Sequence, residues 1–152
     1  MAVTDPVLVA MAPYAALLLG LVIGSFLNVL ILRLPRHMRA ELAEACADLR
    51  DETLEPLPNR LFGLDYLIDP PSTCPHCGHG IRAWENIPVL SYLFLRGRCS
   101  QCGTPISIRY PIVEAVSGLL SLLVVWHFGA TTAALAALVL VWALIALTVI
   151  DL

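Results

Sequence analysis

The fold class predicted by this sequence is an all-α integral membrane protein, with three transmembrane helices and a small four-cysteine insertion between the first and the second. Three observations lead there. Hydrophobic residues make up 59% of the 152 and charged residues 14%, with a mean hydropathy of +0.81; a soluble domain of this size cannot hide that much apolar surface. Three long runs, 7–32, 112–128 and 130–150, carry almost no charge. The polar stretch between the first two holds two cysteine pairs, Cys74-Pro-His-Cys77 and Cys99-Ser-Gln-Cys102.

A hydrocarbon core of roughly 30 Å needs about 20 helical residues. The third run meets this without a single charge. The second is short and has Glu114 near its start, so residues 109–111 are expected to join it at the interface. The first is overlong, and Pro13 is expected to mark where its straight part begins. Although N-terminal and apolar, it does not read as a secretory signal: no basic region precedes it, it is too long, and arginines follow it. These boundaries divide the chain into 1–32 with the first span, 33–71 as a polar helix and linker, 72–109 as the cysteine module, 110–129 as the second span and 130–152 as the third.

The net charge is -3, and all nine basic residues are arginines between Arg33 and Arg109. No basic tail addresses nucleic acid; the medium this chain is built for is lipid. Arg33, Arg36 and Arg39 crowd the end of the first span, while Arg96, Arg98 and Arg109 crowd the start of the second. The positive-inside bias then puts the N-terminus outside and the cysteine loop in the cytoplasm. Two further crossings return Asp151 to the same face as the thiols.

In a reducing compartment, paired CxxC motifs hold metal more often than disulfides. Each pair is followed by glycine, Gly78 and Gly103, as a tight turn presenting N–H groups to sulfur requires. Twenty-one residues separate Cys77 from Cys99, a loop that a tetrahedral site accommodates. The expectation is a zinc-ribbon-like module with structural zinc on Cys74, Cys77, Cys99 and Cys102. Four thiolates close the coordination sphere, so the metal stabilises and does not catalyse. Unligated or redox-active thiols are the alternative. His76 and His79 read as exposed neighbours, and Cys46 as a free thiol.

From 35 to 56 the chain reads as an amphipathic surface helix, with Met38, Leu42, Ala45 and Leu49 on one side and Pro56 and Pro58 at its end. Residues 57–71 read as a linker. No internal repeat or low-complexity tract is evident. Within the first span, Gly20, Gly24 and Asn28 form one stripe with Ser25 beside it; small residues admit a neighbouring helix, and the asparagine amide must face protein.

Several colinear motifs together resemble the prepilin peptidase family, the type 4 prepilin leader peptidases and N-methyltransferases. They are Gly24-Ser25-Phe26-Leu27-Asn28-Val29 followed by Arg33-Leu34-Pro35, the two cysteine pairs, Trp84-Glu85-Asn86-Ile87-Pro88 with Ser91-Tyr92, Arg109-Tyr110-Pro111 with Glu114, and Ile150-Asp151. The resemblance implies an intramembrane aspartic endopeptidase of the bacterial inner membrane, with a periplasmic N-terminus. Such enzymes cut the basic leader from type IV prepilins and type II secretion pseudopilins, and many then methylate the new N-terminus with S-adenosylmethionine. The family's first catalytic aspartate maps onto Asp151, and its second lies in a Gly-Asp motif that residues 1–152 do not contain. The resemblance therefore implies the N-terminal part of a larger polytopic aspartic protease, inactive by itself.

For Glu114, which follows Pro111 in what reads as the first helical turn, the expected role is structural: complementing the helix dipole. Substrate or methyl-donor binding is the alternative. Trp84, Glu85 and Asn86 are expected to seat the module on the membrane domain. Two other functional classes stay open: a non-catalytic membrane adaptor of pilus assembly or secretion, and a thiol-disulfide protein.

Overall fold

The computed structural model describes residues 5–48 and 72–151. Helix α1 (Pro6–Asp48) is 43 residues long. A 3-10 turn (Ala83–Asn86) and the short α2 (Leu90–Phe94) follow within the cysteine module. Then come α3 (Arg109–Phe128) and α4 (Thr132–Asp151), each of 20 residues. Among the described residues, three helices are long and apolar enough to cross a membrane: α1 over Pro6–Arg36, α3 and α4. The all-helical class with a cysteine cluster between the first two spans is what the structure has.

The first helix departs from the sequence reading. It starts at Pro6, where the missing N–H costs nothing, and the Asp5 carbonyl accepts the Val9 N–H at 3.2 Å. It then runs through both Pro13 and Pro35. The amphipathic helix read from 35 onward is continuous with the first span: Pro35 removes the helical bond to the Ile31 carbonyl, a loss that water can make good where a helix leaves lipid. At 1.5 Å per residue α1 is about 65 Å long, roughly twice the hydrocarbon thickness. Its polar end therefore stands clear of the membrane. Leu49, the expected stop at Pro56 and Pro58, and the linker 57–71 lie outside the described residues.

Between α3 and α4 the chain reverses in a few residues. Gly129, at φ 65, ends α3 with its N–H on the Val125 carbonyl at 2.9 Å. Thr131 then starts α4, its hydroxyl accepting the Ala134 N–H at 3.2 Å as an N-cap does. The turn makes α3 and α4 antiparallel, with α1 against both.

Two apolar clusters hold the bundle. Ala16, Val125, Ala134 and Leu138 pack at one end; Leu27, Ile31, Val113 and Ala146 pack at the other. Large side chains such as Leu18, Val22, Leu123, Leu140 and Leu147 point outward, where acyl chains replace a protein core. With lipid as apolar as leucine, close backbone packing and polar contacts have to join the helices. Asn28 supplies one such contact: it is buried, and its Nδ2 donates to the Tyr110 carbonyl at 3.1 Å. Another runs from α4, where Trp142 Nε1 donates to Ser121 Oγ at 3.0 Å and Ser121 donates on to the Ser117 carbonyl at 2.7 Å.

Gly24 sets the approach of α1 to α3. A Cβ there would sit 2.7 Å from the Glu114 Cα, a backbone atom that cannot swing aside. Gly24→Ala is therefore expected to cost about 1–3 kcal/mol, seen as a lower midpoint of SDS-induced unfolding in detergent. An unchanged midpoint would mean that the two helices are not in fixed contact at Gly24.

Candidate functional site

The cysteine module is built from two knuckles with the same backbone, 25 positions apart in sequence. In the first, Cys74 N–H donates to the His79 carbonyl at 2.8 Å, Gly78 N–H to Cys74 at 2.9 Å, and Ile81 N–H to Ser72 at 2.8 Å. In the second, Cys99 N–H donates to Thr104 at 2.8 Å, Gly103 N–H to Cys99 at 3.0 Å, and Ile106 N–H to Gly97 at 2.7 Å. Gly78 and Gly103 turn the chain at φ 71 and 70, a region glycine enters without a Cβ penalty. Isolated antiparallel bridges, Thr73 to Gly80 and Arg98 to Pro105, close each loop. The absence of a repeat expected from sequence is thereby corrected. The shared pattern, Cys-x-x-Cys-Gly-x-x-Ile, is too short and too polar to show as periodicity.

The knuckles face each other, and the sulfurs of Cys74, Cys77, Cys99 and Cys102 all lie within 4.8 Å of one another. Cys74 Sγ and Cys102 Sγ are 3.8 Å apart. Tetrahedral zinc with sulfur at 2.3 Å has S···S edges of about 3.8 Å, whereas a disulfide needs about 2.05 Å. The donor set thus fits a four-coordinate soft cation. Ordinary thiols would share protons unevenly at this spacing. The Thr104 hydroxyl, with its N–H, draws Cys102 down to about 6. At Cys77 the His79 N–H favours the thiolate, but desolvation and the neighbouring sulfurs outweigh it and push the thiol up to about 12.

Neither histidine joins the cluster. His76 is exposed, but His79, expected to be exposed too, is turned inward, and its Nε2 lies 3.3 Å from Glu85 Oε2. The same carboxylate oxygen accepts the Arg82 N–H at 2.9 Å. That backbone bond, then Ser100 and His79, holds Glu85 below the usual carboxylate range. Arg82 itself lies over the Trp84 ring, 5.1 Å from its centroid. An open cleft of about 490 Å³ lies beside these side chains, with Phe94 and Gln101 on its far wall. Glu85 therefore braces the module internally, while Trp84 and Asn86 are exposed; the contact that reaches the bundle comes later in the same segment, at Val89.

That contact is the largest departure from the expected site. Helix α3 begins at Arg109, so Glu114 is its sixth residue and no acidic side chain stands in the first turn. The dipole role is thus overturned. Glu114 is buried between α1 and α3, and its Oε2 accepts the Val89 N–H at 2.7 Å. Ser25 of α1 lies beside the same carboxylate.

Asp151 is the last described residue of α4 and is exposed. Arg109, at the start of α3, donates from Nη2 to the Val149 carbonyl at 3.2 Å. The end of α4 therefore meets the start of α3, the helix that follows the cysteine module in sequence. Cys46 is free and exposed on the projecting end of α1.

The sequence matches the bacterial peptidase A24 N-terminal domain over residues 18–128. It is 51% identical over 144 residues to the prepilin leader peptidase/N-methyltransferase of Burkholderia pseudomallei (strain 1026b), covering 90% of this chain and 43% of that one. Similar proteins of the same name come from Stutzerimonas stutzeri, 50% identical with coverage of 90% and 46%, and from Pseudomonas aeruginosa, 50% identical with coverage of 89% and 45%. The chain spans about half the length of the curated relatives it matches. No solved structure matches it.

Proposed function

The chain belongs to the bacterial A24 peptidase family, whose N-terminal domain it carries, and from that premise we propose that it serves a prepilin leader peptidase. The reaction is removal of the basic leader from type IV prepilins and type II secretion pseudopilins at the inner membrane, with S-adenosylmethionine-dependent methylation of the exposed N-terminus. Identity of about half over nine-tenths of the chain carries this reading.

In this reading Asp151 is one catalytic carboxylate, and the cytoplasmic module is held rigid by zinc on Cys74, Cys77, Cys99 and Cys102. Four sulfur ligands leave no open position, so the metal supplies folding energy and the peptide chemistry is left to carboxylates. Peptide hydrolysis by a carboxyl pair needs one group ionised to activate water and one protonated to polarise the carbonyl; neighbouring like charges split their pKa values to give that state. Asp151 can fill one role. The partner carboxylate comes from sequence outside residues 1–152.

Leader removal from a prepilin by membranes carrying these 152 residues, alone or co-expressed with the C-terminal part of a relative, tests the proposal. The expected result is no cleavage alone and cleavage in combination. Cleavage by the short chain that disappears with Asp151→Ala would overturn the need for a second carboxylate. Failure of every combination would favour a membrane adaptor in which the module docks a pilus-assembly or secretion partner.

A further inference from the structure

The seam between the module and the bundle contains the most strained backbone among the described residues. Val89 stands at φ 60 and ψ -45, and the Leu90 N–H reaches across it to the Pro88 carbonyl at 2.6 Å. Together these define a γ-turn of the rare, strained hand. A β-branched residue is a genuine outlier at positive φ. Such conformations persist where the surroundings over-determine them, and they concentrate at clamps and functional sites. Here the turn aims the Val89 N–H at the Glu114 carboxylate, 2.7 Å away.

The acceptor is equally unusual. Ionisable side chains within spans are costly and call for a named partner. Glu114 is 8% exposed, and its backbone lies against Gly24, which leaves no room for a side chain between the helices. A donor from the module therefore meets the carboxylate of an α3 residue whose backbone is packed against Gly24 of α1. Three parts of the molecule are tied at that point.

We propose that Glu114 is a positioning residue that, through the γ-turn at Val89, latches the cysteine module to the membrane bundle in one orientation. The latch lies at the end of the bundle where α4 presents Asp151, so the module cannot pivot relative to the carboxylate. Glu114 acts through Val89 and touches no peptide. Only the consequence for cleavage rests on the reading of Asp151 as catalytic; the latch itself does not.

Hydrogen exchange of the segment 87–95 reads the latch directly. In Glu114→Leu, exchange there is expected to rise about tenfold or more, as the acceptor that holds the Val89 N–H is lost, while the module keeps its metal and so remains folded. Glu114→Gln retains a carbonyl oxygen for the Val89 N–H and should stay within about threefold of the parent. Val89→Gly keeps the N–H and removes the Cβ penalty, so protection should be equal or greater. In an enzyme carrying both aspartates, kcat/KM for prepilin should fall about tenfold in Glu114→Leu and recover in Glu114→Gln.

Unchanged exchange in Glu114→Leu, a Gln variant no better than Leu, or loss of protection in Val89→Gly would each overturn the latch. Looser exchange with unaltered kcat/KM would overturn the positioning role. If the parent enzyme cleaves no prepilin, the functional reading fails, and the exchange arm still decides the latch.

Discussion

Asp151→Asn, in an enzyme that carries both aspartates, is expected to lower prepilin cleavage by about 10²–10⁴-fold, the usual contribution of a positioned general acid or base. Asparagine keeps the size of the side chain and one acceptor oxygen but cannot ionise. The loss should therefore fall on kcat, with prepilin binding nearly unchanged. The rate of leader removal, with prepilin binding measured separately, checks this. A variant that retains a parental rate would remove Asp151 from the mechanism.

The second large effect is expected from Cys74→Ser. Cys74 is the buried thiol of the four, and a serine oxygen is a poor replacement for thiolate on a soft cation. Metal binding and folding are linked in modules this small, where structural zinc contributes about 10–16 kcal/mol of apparent binding energy. Losing one ligand should reduce bound metal to a small fraction of one per chain and open the module to protease. The membrane helices should survive, because the two apolar clusters and the Asn28 and Trp142 bonds lie within the bundle. Thiol counting gives a clean assay. In the parent, Cys46 is free and exposed and should be the single reactive thiol. In the variant, Cys46, Cys77, Cys99 and Cys102 should all react. Continued protection of the last three would count against a structural metal.

Much of the fold could be read locally. Hydropathy is summed along a short window, so the runs at 112–128 and 130–150 became α3 and α4 with ends shifted by only a few residues. The knuckles were legible for the same reason: a cysteine pair followed by glycine carries its own turn. Asn28 was legible through the cost of an unpaired amide in lipid, which demands a protein partner, here the Tyr110 carbonyl.

Other features depended on neighbours distant in sequence. Whether α1 would pass Pro35 depended on what surrounds the Ile31 carbonyl once its helical partner is gone, not on the proline alone. Glu114 looked like a dipole partner because Pro111 suggested a helix start; the true start at Arg109 moved it past the first turn and left its carboxylate to Val89. The strained turn at Val89 left no trace in sequence, since Pro-Val-Leu is ordinary until a buried acceptor holds its N–H. The two knuckles shared too few side chains to announce that their backbones were alike.

By itself, then, the sequence determined the material of this protein: three apolar spans, four thiols in metal-ligand spacing, and an aspartate closing the last span. Those properties are set by the transfer energies and turn preferences of neighbouring residues. Tertiary structure alone decided how the parts are joined, with the sulfur atoms in one cluster, Arg109 on the end of α4, and Glu114 fastening the module to the bundle. Each of these joins depends on a distance between chain segments far apart in sequence, and packing settles that distance where Gly24 lets two backbones meet.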